Sequence, residues 1–476
     1  MGSAVKLGGG GGANGSADRT NSGIGIGGGS TLAGPDENTP LINGHSGSDG
    51  NGDDPGFWRQ VLLDPRHTPG TDSSNHAVRY SAHVFNVTKA TLLSSPVNIL
   101  LVFVPLGIIA GVKEWSATAV FTLNFFAIIP LAAILSFATE EISSKLGETL
   151  GGLLNATFGN AVELIVSIVA LRDGQIQVVQ SSMLGSILSN LLLVMGMCFF
   201  LGGLWNNMRG DVGSEQSFAS GTAQTTCSLM AVSSASMIIP AALYSMLDHA
   251  DEHDKEASIL LLSRGTSIIL LLLYVLYLYF QLRTHKNLFN PDPETLAPQD
   301  DTEEEEEVHM SAWSAAAVLV AVTVVIAVCA DYLVDSIDAI VATGKISKNF
   351  IGLILIPIVG NAAEHVTAVL VAVRNKMDLA MGVAVGSSIQ IALLVTPFLV
   401  ILGWIMGVPM TLQFETFETV AFFISVVVVT YTVQDGKSNY LEGAMLMGLY
   451  VIIALAFYAS PSEALDKVLV FVGRSN

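Results

Sequence analysis

The chain opens with a polar, glycine-rich stretch and continues as a series of apolar blocks. Residues 1–56 carry 18 of the 45 glycines, set among Ser, Asn and Asp with almost no large apolar side chain. Such a composition buries too little surface to offset chain entropy, and it predicts a disordered tail. The stretch also lacks the basic start and apolar block of a secretory signal. Residues 57–90, with Arg59, Arg66, Arg79 and Lys89, read as a juxtamembrane segment. From there, eleven apolar segments approach the ~20 residues that a spanning helix needs. They run over 97–112, 117–138, 148–171, 177–204, 222–246, 257–282, 311–334, 349–373, 378–404, 416–433 and 440–459.

The connections are short except for 284–310, which holds Asp300, Asp301, Glu303, Glu304, Glu305, Glu306 and Glu307. This acidic segment divides the spans into six and five. The expected organisation is a tail and juxtamembrane segment (1–90), a first span plus five more helices (91–283), the acidic linker (284–310) and a second set of five (311–476). Lys and Arg are nearly balanced between the two sets of loops, so loop charge gives little orientation. With eleven crossings the tail and the acidic linker fall on one side, and both suit the cytosol; the carboxyl terminus is then lumenal.

Composition narrows the class. Only 13 % of the residues are charged, about half the allowance of a soluble domain, while 51 % are hydrophobic. The net charge of −20 excludes the basic footprint of a nucleic-acid binder. Cys198, Cys227 and Cys329 are scattered through apolar stretches with neither paired nor metal-ligand spacing. The expectation is an all-α polytopic membrane protein.

Self-similarity supplies the next step. Gly159-Asn160-Ala161-Val162-Glu163 matches Gly360-Asn361-Ala362-Ala363-Glu364, 201 residues later. The same offset carries Gly185-Ser186 onto Gly386-Ser387. A weaker match sets Glu140 and Glu141, ending the second span, opposite Asp331, ending the seventh. The copies fall in spans three and four and in spans eight and nine. Five crossings separate them, so the two halves are expected to be inverted, the arrangement of secondary transporters with a midplane site.

Glu163 and Glu364 each sit inside an otherwise apolar span, where a charge costs about 2.5–3.5 kcal/mol on insertion scales. Asn160 shares a helix face with Glu163, and Asn361 with Glu364. Gly159 and Gly360 permit a break or a close approach, and Pro357 leaves the carbonyl of Leu353 without its helical donor. Ser186, Ser189 and Asn190 on one span and Ser387, Ser388 and Gln390 on another complete a cage. Taken singly, each of these is ordinary interhelical glue. Every donor in the set is a hard oxygen, which suits Ca²⁺ and leaves Mn²⁺ open. His365 points to a different face and reads as a packing or supporting residue. Two carboxylates balance one divalent ion; without it the pair is desolvated and mutually repulsive, and takes up protons instead.

These residues and motifs, with Thr149-Leu-Gly-Gly-Leu-Leu-Asn155 leading into the first copy, resemble the cation/proton exchanger branch of the calcium/cation antiporter superfamily. Within that branch the chain is similar to fungal and plant vacuolar Ca²⁺/H⁺ exchangers over about residues 80–460. The resemblance implies eleven spans, no cofactor, no enzymatic activity, and import of Ca²⁺ into an acidic vacuole against H⁺. It implies ion binding by Asn160, Glu163, Asn361 and Glu364, and approaches lined by Glu140 and Glu141 on one side and Asp331 and Asp335 on the other. The proline before the glutamate in the sodium-exchanging branch is absent here.

Three further features are open. Glu37-Asn-Thr-Pro-Leu41-Ile42 resembles an acidic dileucine signal read by sorting adaptors, or is plain linker. The acidic run is a calcium-gathering regulatory element or a solvated spacer. The stretch Asp248–Asp254, with His249 and His253, is a proton-sensitive or simply polar lumenal loop. Asn86-Val-Thr88 fits the glycosylation pattern but is placed on the cytosolic side, so it is expected to be unmodified.

Overall fold

Each apolar run forms a helix, but not always an unbroken one. The computed structural model describes residues 75–209, 215–247, 252–285, 310–342 and 346–459. The glycine-rich tail with Glu37–Ile42, the acidic run 300–307 and Asp248–Asp251 lie outside the described residues. Helix α1 (His76–Leu93) occupies the end of the juxtamembrane segment and includes Asn86. A sharp bend of 107° separates it from the 3₁₀ turn Pro96–Val102 and α2 (Phe103–Val112). Ser95 caps that turn through its side chain, and Pro96 holds its first position.

Helix α3 (Ala117–Phe158) contains the second apolar run and then doubles back. The reversal is at Gly147, with φ 76° and ψ 167°, a conformation open essentially to glycine alone. The Ser143 hydroxyl donates to Asn155 Oδ1 at 2.8 Å across the two limbs. The chain continues through α4 (Ala161–Arg172), α5 (Ile176–Met208), α6 (Ser220–Met246), α7 (His253–Thr284) and α8 (Ala312–Val341). It ends with α9 (Lys348–Gly360), α10 (Ala362–Val373), α11 (Met377–Met406), α12 (Thr416–Thr432) and α13 (Tyr440–Ala459).

Among the described residues seven helices are long and apolar enough to cross a bilayer, or nine if α1/α2 and α9/α10 each count as one bent span. The apolar run expected over 148–171 is two pieces, interrupted at Asn160, and the run over 349–373 bends by 58° at Asn361. Helix α12 is apolar but only 17 residues long. One short antiparallel pair, Gln216–Ser217 with Lys437–Ser438, joins the turn before α6 to the turn before α13.

The core is apolar as in a soluble protein, but the outer faces are apolar too and several polar side chains are buried. Leu261, Ile405 and Ile452 are largely exposed on the outside, whereas Asn124, Ser189, Asn190, Ser233 and Asn361 are buried. Without a hydrophobic drive between helices, close approach must come from small residues. Pro357 frees the Leu353 carbonyl, and Gly185 of α5 lies directly against that oxygen. Similarly, Gly443 of α13 lies against α5, where an added Cβ would meet the Gly196 carbonyl at 2.6 Å and Phe200 Cα at 2.8 Å.

Gly443→Ala is therefore expected to lower detergent-solubilised stability by about 1–3 kcal/mol, because backbone cannot move aside cheaply. Gly265→Ala, which has open space around it, should leave the thermal midpoint unchanged or slightly raised. Melting curves of both variants check the contrast.

Candidate functional site

The site is built from two helix starts. Asn160 (φ −104°, ψ 30°) precedes α4, and Asn361 (φ −84°, ψ 1°) precedes α10; neither has helical backbone angles. Each break follows a glycine, so each glutamate becomes the third residue of a new helix rather than a mid-helix residue. At that position the unpaired backbone N–H groups and the helix dipole favour negative charge. Three wide helical turns lie nearby, at Ser189–Val194 in α5, Ile351–Leu355 in α9 and Ile391–Val395 in α11. Wide turns of this kind concentrate at functional positions.

The breaks also bring the two motifs together. Glu163 is buried, and its carboxyl group lies against Gly360, so that any side chain at 360 would collide with it. Gly159 in turn faces Gln390, whose Oε1 would be 3.5 Å from an added Cβ. The Glu163 carboxyl therefore lies at the break that starts the helix carrying Glu364.

A chain of hydrogen bonds crosses between the motifs. Asn160 Nδ2 donates to Gln390 Oε1 at 2.6 Å, and the Ser387 hydroxyl donates to Asn160 Oδ1 at 2.7 Å. Asn190 Nδ2 reaches Ser387 Oγ at 2.9 Å and Glu364 Oε2 at 3.3 Å. Asn361 Nδ2 donates to the carbonyl of Ser186 at 3.3 Å, so Ser186 enters the network through its backbone. His365 Nδ1 is 2.6 Å from the Asn361 carbonyl and its Nε2 is 3.4 Å from Ser189 Oγ, which makes it a brace for the break. Ser388 turns away and bonds the Ala384 carbonyl within its own helix.

Three oxygens in this group are buried without any partner: Asn190 Oδ1, Asn361 Oδ1 and Ser167 Oγ. A buried polar atom left unpaired costs about 1–3 kcal/mol; Asn190 contacts Glu364, and Ser167 and Asn361 belong to the two motif segments that carry the glutamates. Among the described residues no three acidic, His or Cys side chains cluster, so any cation would rely on amide, hydroxyl and backbone oxygens besides the carboxylates. Ser167 was absent from the sequence-derived cage, although it lies four residues beyond Glu163 on the same helical face.

A cavity of about 400 Å³ leads to Glu364, Ser387 and Gln390. Glu140, Asn155, Gln281 and Asp378 stand in its wall. Of the expected acidic approach pair, Glu140 lines this cavity, whereas Glu141 is buried and accepts the N–H of Met310 at 3.1 Å. Asp331 and Asp335 are on α8, remote from the Glu140 wall, and Asp331 is ion-paired with Arg172. Asn155 and Asp378 also line this cavity, although no motif match pointed to them.

The model of the sodium/calcium exchanger protein family matches residues 116–283 and 314–459, two blocks that contain both glutamates. The chain belongs to this exchanger family. Its relatives include a vacuolar calcium ion transporter of Schizosaccharomyces pombe, 51 % identical over 380 residues, 80 % of this chain and 88 % of that protein. A vacuolar cation/proton exchanger 2 of Arabidopsis thaliana is 42 % identical over 405 residues, 85 % of this chain and 88 % of that protein. Among solved structures, the Ca²⁺/H⁺ antiporter protein YfkE superposes with a TM-score of 0.62 at 36 % identity, covering 76 % of this exchanger and 98 % of that chain. An H⁺/Ca²⁺ exchanger CAX shares the fold at 11 % identity, with a TM-score of 0.54 over 80 % of this chain and 94 % of that one.

The contact between Glu163 and Gly360 can be isolated by a double-mutant cycle. Gly360→Ala should destabilise the parent by about 1–2 kcal/mol through overpacking, and by much less in a Glu163→Ala background. Equal losses in both backgrounds, read from melting curves, would show that the motifs do not touch.

Proposed function

We propose that this protein is a secondary antiporter that exchanges cytosolic Ca²⁺ for lumenal H⁺ and loads calcium into an acidic vacuole. The observation that carries the reading is the pair of carboxylates at two helix starts, the Glu163 carboxyl lying against Gly360 of the second motif, with unpartnered oxygens on Asn190, which contacts Glu364, and on Asn361 and Ser167 of the two motif segments. The names of its relatives, vacuolar calcium ion transporters and cation/proton exchangers, support it. Asn160, Glu163, Asn361 and Glu364 hold the ion, with Ser186, Ser189, Asn190, Ser387 and Gln390 as supporting cage. Ca²⁺ and protons compete for one pair of oxygens, because a metal needs deprotonated ligands. Alternating exposure of that pair then couples the two fluxes without any cofactor.

The same reading takes the chain as eleven crossings. The nine counted above are joined by α12 and by the interrupted segment from the return limb of α3 through α4. Spans two to six and seven to eleven form inverted repeats. In support, α4 and α10 are both 12 residues long, and each ends in a turn with positive φ, at Gly174 (71°) and Asn375 (61°). These turns are 201 residues apart, the offset of the motifs. The amino terminus and acidic linker are then cytosolic and the carboxyl terminus lumenal, and the cavity walled by Glu140 and Asp378 opens to the cytosol. Asp331 and Asp335 belong to the lumenal approach. The acidic run 300–307 as a regulatory element, Glu37–Ile42 as a sorting signal and Mn²⁺ as an alternative cargo are parts of this proposal that rest on sequence alone.

The energetics are feasible. A thousandfold calcium gradient costs about 4 kcal/mol, and each proton moving down one pH unit returns about 1.4 kcal/mol. Roughly three protons per calcium would suffice at one pH unit.

In reconstituted vesicles with an imposed pH gradient, Glu163→Gln and Glu364→Gln are each expected to abolish calcium uptake while the protein still inserts. Substantial uptake by either variant would remove the central role of the pair. Ser387→Ala, which cuts the link between Asn160 and Asn190, should raise the KM for calcium about 5- to 30-fold, equivalent to 1–2 kcal/mol. Uptake that follows a sodium gradient instead would make the exchanger sodium-coupled, and flux that persists without either gradient would make it a channel.

A further inference from the structure

Helix α5 is 33 residues long, so its ends are separated by about 50 Å. Its final turn is beside the cavity side of the molecule, where Asn206 Nδ2 meets Asn375 Oδ1 at 3.3 Å, three residues from Asp378 in the cavity wall. Its first turn is therefore at the opposite face, and there a polar rim closes the molecule. Arg172, at the end of α4, donates to Asp173 Oδ1 at 3.0 Å and is also paired with Asp331 of α8. Lys348, the first residue of α9, binds Asp338 Oδ1 at 2.6 Å and Gln175 Oε1 at 2.9 Å. Gln175 Nε2 donates back to Asp338 Oδ2 at 2.6 Å. Further in, Gln177 Nε2 bonds Asn349 Oδ1 at 2.7 Å and Glu415 Oε1 at 2.8 Å, and Gln180 Nε2 bonds the carbonyls of Thr411 and Gln413 at 3.0 and 2.9 Å.

Apart from the Arg172–Asp173 and Lys348–Asp338 pairs, each of which lies within one half, these contacts tie residues 172–180, in the first half of the chain, to residues 331–415, in the second. The amides form fixed neutral links. Arg172 and Lys348 are the positive charges in these contacts, set among Asp173, Asp331, Asp338 and Glu415. Were the halves to part here, Asp331 would lose Arg172, and Gln175 would lose both Lys348 and Asp338, while Arg172 would keep Asp173 and Lys348 would keep Asp338. Both ion pairs are partly exposed, with side-chain exposures of 58 % and 40 % for Arg172–Asp331 and 28 % and 58 % for Lys348–Asp338. Pairs this exposed are individually weak. Weak, numerous and localised contacts suit a rim that must open and close on every cycle, whereas a dry apolar seal would hold one state.

We propose that Arg172 and Lys348 are positioning residues that latch this rim shut, and so set on which side of the membrane the Glu163/Glu364 pair is reachable. The inference rests on the antiporter reading and adds to it the residues that bias the equilibrium between the two faces. A bias of this kind is read as a population: a tenfold shift corresponds to about 1.4 kcal/mol.

Ser182 provides a reporter. It is buried on α5 between the rim and the site, four and seven residues before Ser186 and Ser189 on the same helical face, and its hydroxyl makes only a local bond to the Val179 carbonyl. In sealed vesicles carrying the full chain with Ser182→Cys, a membrane-impermeant maleimide is applied from each side in turn. The same vesicles without that substitution give the background from the three buried cysteines. Adding Arg172→Gln with Lys348→Gln is expected to raise the modification rate at 182 at least tenfold from the side bearing residues 172–180 only. It should also raise the KM for calcium entering through the cavity, at an unchanged melting midpoint, while Arg172→Lys stays near the parent. A rate that is unchanged, or that rises alike from both sides, overturns the latch. Uptake driven by a pH gradient in the parent vesicles is measured in parallel. If uptake persists while labelling is unaffected, the latch fails and the antiporter reading stands; if the parent shows no uptake, the antiporter reading fails on its own.

Discussion

Two glutamate side chains held close together inside an apolar bundle are the constraint on which the rest of the molecule turns. Neither can be placed there as an ordinary mid-helix residue, because a carboxylate in an unbroken apolar helix has no backbone donors to meet it. The chain answers by breaking both helices at a Gly-Asn pair one turn earlier, so that each carboxylate sits in the first turn of a new helix. A glycine precedes each break, and the second of them, Gly360, is the surface on which the Glu163 carboxyl rests. Bond geometry, packing and charge are thus satisfied by the same five-residue motif used twice.

The surrounding shell follows from the need to satisfy what the breaks expose. Pro357 frees a carbonyl that Gly185 is small enough to meet, and His365 ties down the carbonyl of Asn361. The hydrogen-bond chain from Gln390 through Asn160, Ser387 and Asn190 to Glu364 runs between the motifs. It leaves unpaired the amide oxygens of Asn190 and Asn361 and the hydroxyl of Ser167, on the helix that carries Glu163. In the proposed function the two carboxylates and these amide oxygens are what favour a cation over an anion. In the proposed cycle a calcium ion or protons satisfy these groups in turn, and the polar rim at residues 172–180 decides which face they come from.

Much of this was legible in the sequence because it depends on residue type and spacing. The apolar runs gave the helices, and the duplicated motif gave Asn160, Glu163, Asn361 and Glu364. Other features were not legible, because they depend on three-dimensional neighbours. Apolarity alone extends a helix across 148–171, whereas the positive φ at Gly147 and the angles at Asn160 fold that stretch back and interrupt it. Glu140 and Glu141 are adjacent and identical in chemistry, yet one lines the cavity and the other is claimed by the N–H of Met310. Ser186 looks like a hydroxyl ligand, but the contact it makes to Asn361 is through its carbonyl. No sequence pattern singled out Arg172 or Lys348, and only the tertiary arrangement makes them partners of Asp331 and Asp338.

The central claim, that one pair of carboxylates holds either a divalent ion or protons, is tested most directly by proton release. Purified protein in weakly buffered detergent solution is titrated with calcium while pH and bound calcium are followed together. The account predicts protons released in step with saturation of a single high-affinity site, with both the release and the site lost when the two glutamates are replaced by glutamine. Calcium binding at that site without proton release, or undiminished binding by the doubly substituted protein, would contradict it.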